Sequence, residues 1–538
     1  MDVFTQWKNA QLQLEKAAQA FFDASIKLRA AVSQHFIVPN RDSAFEDLIS
    51  KIQSQMTLNN SIETQLTASR AVINSTRNMS PVFVPISILP PELFSRIFTF
   101  AIASTYQPLG YYGRDPLLAI SVVSTRWRQL ATGTRSLWSH INLLTPSSTI
   151  SSSDRIAAAR LWLERSQGTP LHLYIDLSYP MVNQHYLSQL FCELRPHITY
   201  LSSLVFPGTV KETVGPFLKF LSDHGVSGSL KSLMIDSNRF GEDQARQSWP
   251  TTYLRGLVDL QLSNLPRSIS PTFQELYTTL SGSPTLSTLR LRDMDIPPGQ
   301  APAISLPELR LLDITGLNRL SLFGLLNMLS LGGLELDFRF SLKGLTDRDT
   351  TDVILPFCRR SNIASLYLFN TNEGLDGRVI SLLSHIPFVR VLVLDNDHDD
   401  FHVGNIIDTN SNEKSARCPK LQTLCIITRT GINEYAQTHL ENLLDFYSLN
   451  AIVLEGVGLE PCDSELRYSD DEEAWIEQRN RGFLDRLTKK VHSIVVNENV
   501  LGGDDETVDL YIRKLIVESQ RLEKPRNQIY RLRAKLGC

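Results

Sequence analysis

The sequence predicts a mixed α/β fold, in which a helical N-terminal part precedes a stack of parallel strands and returning helices. Two observations support this prediction. Apolar residues recur at helical spacing through much of the first 145 residues. A pattern of the form apolar–x–x–apolar–x–apolar then recurs from residue 201 to residue 449 at intervals of 22 to 32 residues. A repeat of this length is typical of a solenoid, because one copy is too small to bury its own apolar face.

Residues 1–78 predict two helices joined by a turn. A heptad seam of apolar residues runs from Val3 to Ala31. Ser43 and Glu46 then match a capping box for a second helix with a weaker seam. We expect this segment to form a helical hairpin that packs on its neighbour in the chain. A coiled coil that dimerises the chain is the alternative.

Residues 79–145 contain three short apolar segments, which predict a compact three-helix unit. Pro90 and Pro91 precede the first segment, where proline suits the start of a helix. The segments are built on Leu93, Ile97 and Phe100, on Val122, Val123, Trp127 and Leu130, and on Leu137, Trp138 and Ile141. So short a unit holds more large apolar side chains than it can bury, and this surplus predicts a partner.

The order of these residues resembles an F-box. The resemblance rests on an LPxELxxxIF opening at 89–98, a Trp-Arg pair at 127–128 and a Leu-Trp pair at 137–138. It implies that the unit docks on the Skp adaptor of cullin–RING ubiquitin ligases. By the same resemblance, the adaptor-binding residues would be Leu89, Pro90, Leu93, Ile97, Val122, Val123, Trp127, Leu130 and Trp138. Trp127, Leu130 and Trp138 would be shared with the core of the unit.

The repeated segment resembles leucine-rich repeats, and chains that combine them with an F-box are abundant in fungi. Copies begin at Leu201, Leu230, Leu257, Leu286, Leu309, Leu331, Ile363, Val389, Leu421 and Leu449, with weaker ones at Pro170 and Val491. Alternate residues of a strand face opposite sides, so the paired leucines should point inward and the residue between them outward. Returning helices are expected at Phe273–Leu280, Leu322–Leu329 and Thr438–Phe446. The expected domains are thus a linker helix at 146–169, a solenoid at 170–460, and a C-terminal cap and basic tail at 461–538.

The outward strand positions suggest a target-binding surface. A polar group there, Arg290, Arg292 and Glu335, lies beside a largely apolar group formed by Tyr367, Phe369, Val393, Cys425 and Ile427. Exposed apolar strips are costly and are usually covered. The cover is either a target protein or, alternatively, the C-terminal segment of the same chain.

Composition and motifs argue against several other classes of protein. The net charge of −4 gives no electrostatic reason to expect nucleic acid. The absence of a signal pattern and of any long apolar run predicts no membrane segment and a location in the cytosol or nucleus. No catalytic or cofactor motif is found, so we expect neither an enzyme nor a cofactor. The cluster Asp395–His402 is rich in metal-ligating residues, but a turn between repeats explains it better.

The sequence therefore predicts a substrate-recognition adaptor of a Skp–cullin–F-box ubiquitin ligase, which acts in ubiquitin-dependent protein degradation. The F-box would dock on the Skp adaptor, and the repeats would hold a target protein whose identity the sequence does not reveal. The alternative is an F-box scaffold with leucine-rich repeats that acts in protein–protein interaction outside ubiquitin ligases. A metal-dependent enzyme using Asp395–His402 is a third, weaker hypothesis.

Overall fold

The computed structural model divides the chain into two compact units, Met1–Leu89 and Pro90–Cys538. The residues that the structure describes are 2–35, 43–78, 85–103, 116–144, 152–176, 184–209, 211–237, 246, 248–342, 344–369, 382–396, 420–428, 437, 440, 441, 444, 449–455, 483, 486, 487, 489–491, 493–497 and 528–531.

The first unit is helical, as the heptad pattern predicts. It consists of α1 (Val3–His35), α2 (Ser43–Asn78) and a 3-10 turn at Pro85–Ile88. The seam of α1 remains open to solvent, with Trp7, Leu14 and Phe21 exposed by 43%, 47% and 59%. The expected hairpin packing along this seam is therefore not observed among the described residues.

The second unit begins with short helices, followed by a 3-10 turn at Arg135–Trp138. These helices are α3 (Pro91–Ala103), α4 (Pro116–Val123) and α5 (Thr125–Gly133). The prediction of one continuous second helix is wrong, because Ser124 separates α4 from α5 and its hydroxyl accepts a hydrogen bond from the Trp127 backbone N–H at 3.1 Å. The expected third helix is the 3-10 turn alone, since Ile141 lies in the first strand.

Among the described residues, the rest of the second unit is organised around one parallel sheet of fourteen strands whose order follows the chain. The strands of the chain are β1 (His140–Leu144), β2 (Leu171–Asp176), β3 (Leu201–Thr209), β4 (Ser232–Ser237), β5 (Asp259–Ser263), β6 (Thr288–Arg292), β7 (Ile304–Leu306), β8 (Leu311–Asp313), β9 (Leu329–Leu331), β10 (Leu336–Ser341), β11 (Ile363–Phe369), β12 (Val391–Asn396), β13 (Thr423–Thr428), β14 (Ala451–Glu455), β15 (Ser493–Asn497) and β16 (Gln528–Arg531). β7 and β9 form a separate pair. The large sheet extends beyond the predicted range 170–460 at both ends, because it starts at β1 and includes β16.

Helical connections lie between many of the strands. They are α6 (Ser152–Ser166), α7 (Gln184–Leu194), α8 (Lys211–His224), α9 (Phe273–Ser281), α10 (Arg319–Met328), α11 (Asp347–Asp349) and α12 (Leu355–Arg360), with a 3-10 turn at Arg195–Tyr200 and a π turn at Thr350–Ile354. The helices expected at 273–280 and 322–329 are observed as α9 and α10. The one expected at 438–446 falls mostly outside the described residues.

The expected alternation of strand side chains is observed where the repeat is regular. In β4, Leu233 and Ile235 are fully buried, whereas Met234 between them is half-buried. Pairing of neighbouring strands aligns these middle positions into one line, which we call the outward row. It consists of Met234, Gln261, Arg290, Asp313, Arg339, Tyr367, Val393, Cys425 and Val453.

The outward row contains Arg339 where the sequence pattern placed Glu335. The copy beginning at Leu331 was therefore assigned four residues too early. In the structure Arg339 aligns with Asp313 on one side and Tyr367 on the other, and a register shift after Leu336 disturbs the pattern. Glu335 precedes β10 and is exposed.

Candidate partner-binding surfaces

An aromatic cluster forms the core of the short helical unit. Phe94 and Phe98 lie one turn apart on α3 and are 0% and 1% exposed. Their ring centroids lie 5.7 and 5.0 Å from that of Trp127 on α5. The core thus uses one face of α3 and leaves its other faces free for contacts elsewhere.

A second face of α3 presents large apolar side chains to solvent. Leu93, Ile97 and Phe100 are 43%, 41% and 68% exposed. Their spacing of four and three residues places them on one side of the helix. Three large apolar groups in a row on an exposed face are typical of a surface that another protein covers.

Helix α4, which contacts α3, also exposes large apolar side chains to solvent. Leu118, Val122 and Val123 are 53%, 71% and 52% exposed, whereas Leu117 and Ile120 of the same helix are buried. We call the six exposed large apolar residues of the two helices the α3–α4 surface. They are Leu93, Ile97, Phe100, Leu118, Val122 and Val123. None of them carries a charge or a catalytic group, so this surface is suited to binding and not to chemistry.

The structure places the other predicted adaptor-binding residues in different environments. Pro90 is exposed, while Trp127 and Leu130 are half-buried. Leu89 is also half-buried and belongs to the first unit. Phe100 and Leu118 were not among the predicted site residues, although their spacing from Ile97 and Val122 could have identified them.

Trp138 is buried and does not offer a surface to an adaptor. It is 3% exposed, and its indole N–H donates a hydrogen bond to the Ala131 carbonyl at 2.8 Å. Its ring meets that of Trp162 on α6 edge to face, with centroids 6.0 Å apart. The expectation that Trp138 takes part in docking is therefore wrong, because this side chain joins the short helices to α6.

Comparison with known protein families agrees with this geometry. Residues 86–144 match the family model described as F-box-like. Domains of this family generally bind Skp-type adaptors, which indicates a role in protein–protein interaction. The matched segment contains the whole α3–α4 surface and ends with β1, the first strand of the sheet. No curated protein matches this chain with significant sequence similarity.

The apolar part of the predicted target surface is largely closed to solvent. Tyr367, Val393 and Cys425 are 5%, 3% and 0% exposed and pack in one cluster with Val391 and Val453. Phe369 and Ile427 are partly buried against this cluster. The prediction of an exposed apolar strip is thus wrong, and the burial agrees with the alternative that these positions are covered.

Of the predicted polar group, Arg292 lies in a buried ion network, whereas Arg290 is half-buried and Glu335 is exposed. The Arg292 Nε–H donates a hydrogen bond to Asp313 Oδ2 at 2.7 Å. The Arg292 Nη2 atom lies 2.6 Å from the same oxygen. Arg339 pairs with Asp337 at 2.9 Å and lies 5.1 Å from the ring centre of Tyr367. Arg292, Asp313 and Arg339 are buried, so they are not available to a target as an exposed patch.

The charges around Asp313 decide its protonation state. Burial of this carboxyl group raises its pKa, but the nearby charges of Arg292 and Arg339 and the hydrogen bonds from Arg292 and Thr315 outweigh that effect. The net pKa is therefore below the usual value, and Asp313 is ionised at neutral pH. This charged state holds Arg339 in the outward row and Arg292 beside it on β6.

The described part of the chain can also be compared with two expectations from the sequence, those for a metal site and for a membrane-spanning helix. No group of three or more metal-ligating side chains is found among the described residues. Of the cluster Asp395–His402, only Asp395 and Asn396 are described, at the end of β12. The helices that the structure describes include none that is long and apolar enough to cross a membrane.

Proposed function

We propose that this protein is the substrate-recognition adaptor of a Skp–cullin–F-box ubiquitin ligase, and that its array of strands is a leucine-rich-repeat solenoid. The main support is the exposed α3–α4 surface within a segment that matches the F-box-like family. Burial of one large apolar side chain contributes roughly 1.5–3 kcal/mol. Six such residues can therefore hold an adaptor without any charged contact.

The proposed contribution to ubiquitin transfer is positional. The Skp adaptor and the cullin would hold the chain near the ubiquitin-charged enzyme, and the solenoid would hold the target there. We propose no catalytic step and no cofactor for this chain. Its expected location is the cytosol or the nucleus.

Co-purification with a Skp adaptor tests the docking step. We expect full-length Ile97→Asp/Val122→Asp to lose adaptor binding by about 100-fold or more, because two desolvated apolar anchors become charged. Leu320→Asp/Val226→Asp is the matched control, since Leu320 and Val226 are 58% and 47% exposed and lie outside the family match. Equal adaptor binding by both double variants would contradict the proposal.

A second measurement separates the ubiquitin-ligase adaptor from a scaffold outside ubiquitin ligases. The wild-type chain, co-expressed with Skp adaptor and cullin, should recover both proteins in one complex. Recovery of the Skp adaptor without the cullin would favour the scaffold. Both alternatives use the α3–α4 surface to bind the Skp adaptor, so recovery of the cullin is the measurement that separates them.

A proposed dimer is the second element of this function. The exposed α1 seam supports association through residues 1–78, because a 33-residue helix with an unpartnered heptad seam is suited to a coiled coil. Two copies would present two target-binding arrays to one ligase assembly.

A further inference from the structure

A groove lies where several strands of the sheet begin. It has a volume of about 780 Å³ and lies beside the residues that precede β10, β11, β12 and β13. A groove of this size lies within the range usual for ligand sites. Its lining shares Glu335 with the predicted target surface, but the other residues of that surface lie along the strands themselves.

Positive charge predominates in the lining of this groove. Among the described lining residues, Arg359, Arg360, Arg390 and Lys420 stand against one acidic residue, Glu335. The chain as a whole has a net charge of −4, so this local excess of cations runs against its overall charge. We call this feature the basic groove.

Two of the four cations hold the walls of the basic groove. Arg360 donates hydrogen bonds to the carbonyl oxygens of Leu326 and Leu329. Arg390 forms an ion pair with Glu335, the acidic residue among the described lining. The positive charges of Arg359 and Lys420 therefore remain in excess at the groove.

The side chains that carry this excess are accessible. Arg359 and Lys420 are exposed, and the Lys420 ammonium nitrogen lies 4.5 Å from the ring centre of Phe388. Phe388 is 51% exposed and is also part of the lining. An aromatic ring beneath an ammonium group attracts it electrostatically and so helps to position it.

Hydrogen bonds between neighbouring repeats fix the floor of the groove. The Arg390 backbone N–H donates to the Ala364 carbonyl at 2.8 Å. The Asn362 side-chain amide donates to the Gly333 carbonyl at 3.1 Å, and the Asn362 backbone carbonyl accepts from the Leu336 N–H at 2.8 Å. The lining is thus held in place before a ligand arrives, which reduces the ordering cost of binding.

Cys358 lies in the lining of the groove but is not expected to act as a nucleophile. Cys358 is 1% exposed, and burial raises the pKa of its thiol to about 12 even though Arg360 opposes the shift. The thiol is protonated at neutral pH and is a poor nucleophile. The basic groove is therefore suited to binding.

We propose that the basic groove binds a short acidic segment of a protein partner, through carboxylate or phosphate oxygens, and so deepens the proposed function by naming the kind of target. Four neighbouring strands span about 14 Å, the length of roughly four residues of extended peptide. One aromatic ring and two accessible cations match such a segment. A nucleic acid strand usually requires a longer basic track with several stacking rings.

Fluorescence anisotropy with the full-length chain tests this proposal. The probes are labelled hexaglutamate, hexaglutamine and a hexapeptide with one phosphoserine. We expect hexaglutamate or the phosphopeptide to bind, hexaglutamine not to bind, and added salt to weaken binding. Comparison of the two acidic probes shows whether carboxylates alone suffice or phosphate is needed.

A charge-matched pair of variants locates the binding site. Arg359→Glu/Lys420→Glu should bind the acidic probe about tenfold more weakly or worse, since two attractive contacts become repulsive. Arg310→Glu/Lys219→Glu changes the net charge equally at exposed positions outside the groove and should change binding by less than about twofold. Arg359→Gln/Lys420→Gln should give an intermediate loss.

Three outcomes would overturn the proposal. They are no binding of either acidic probe by the wild-type chain, equal weakening by the two charge-reversal variants, and tighter binding of a single-stranded RNA probe of the same length. Because these measurements use no Skp adaptor, they leave the docking function to be judged separately by co-purification.

Discussion

At the residue scale, the outward row shows how a charged side chain can occupy the middle of a sheet. Asp313 is fully buried between arginines on neighbouring strands. A buried ion pair of this kind is costly to break, because removal of one partner leaves the other charge without compensation. The network is therefore more informative about stability than about target binding.

Asp313→Asn should destabilise the protein strongly. We expect a loss of about 3–5 kcal/mol in the free energy of unfolding, since Arg292 and Arg339 keep their charges in a buried site. Thermal and urea denaturation of the full-length chain measure it. Asp352→Asn is the control, because Asp352 pairs with Arg348 at a surface where both side chains are mostly exposed, and should change stability by less than about 1 kcal/mol. Similar losses in both variants would contradict this account of the network.

The His140–His172 pair predicts a loss of stability in acid. The two rings stack with centroids 4.5 Å apart on β1 and β2. Burial, followed by the charge of His172, lowers the pKa of His140 to about 4, and burial also lowers the pKa of His172. Between pH 6.5 and 4 the unfolded chain therefore binds protons that the folded chain does not.

The contribution of this pair to the free energy of unfolding should therefore be constant above pH 6.5 and should fall as the pH drops towards 4. After allowance for solvent screening, we expect His140 to contribute about 1–2 kcal/mol of this fall. Melting curves of wild type and His140→Asn from pH 7 to 4 measure the difference, with exposed His185→Asn as the control. A parallel fall for wild type and His140→Asn would show that this histidine is not responsible.

At the element scale, strand positions were easier to predict from the sequence than register. The repeat pattern locates β3, β4, β5, β6, β11, β12, β13 and β14 because each has a regular apolar alternation. It misplaces the copy at β10, because residues 331–336 imitate the pattern and the register shift after Leu336 disturbs it. A pattern of apolar letters carries no signal for such a shift.

The same limit applies to the candidate sites. The exposure of Leu93, Ile97 and Val122 depends mainly on the face of their own helix, which residue spacing indicates. The burial of Trp138 and Tyr367 was not predictable in this way, since it depends on neighbours distant in sequence, such as Trp162 for Trp138. Single-sequence reasoning therefore indicated the exposed apolar face of the short helices and misjudged the outward row, and the docking of an adaptor on that face stays a prediction.

The seam of α1 predicts self-association. Leu14→Glu/Phe21→Glu places two charges on the seam and should convert a dimer into a monomer in multi-angle light scattering. Leu12→Glu/Phe22→Glu is matched in residue type and lies off the seam, at positions 48% and 61% exposed, and should leave the dimer intact. A wild-type chain that is monomeric at micromolar concentration would contradict this prediction.

At the scale of the whole molecule, the F-box-like segment is joined directly to the array of strands. The F-box-like match ends in β1, which pairs with β2 as the first strand of the sheet. The 3-10 turn that carries Trp138 also contacts α6, so a packed aromatic junction connects the two parts. An adaptor bound to the α3–α4 surface would thus be held at an orientation set by packing and not by a flexible linker.

The α3–α4 surface and the basic groove should act independently. β1 and β11 are eight strands apart in the sheet, or about 38 Å along it at 4.8 Å per strand. Sites this far apart without shared side chains usually contribute additively. We therefore expect Ile97→Asp/Val122→Asp to bind hexaglutamate within about twofold of wild type, and Arg359→Glu/Lys420→Glu to retain the Skp adaptor. Binding of each ligand in the presence of the other measures the coupling directly. A change of more than about fivefold would show that the sheet transmits adaptor binding to the groove, and the positional account of the ligase would then need a conformational step.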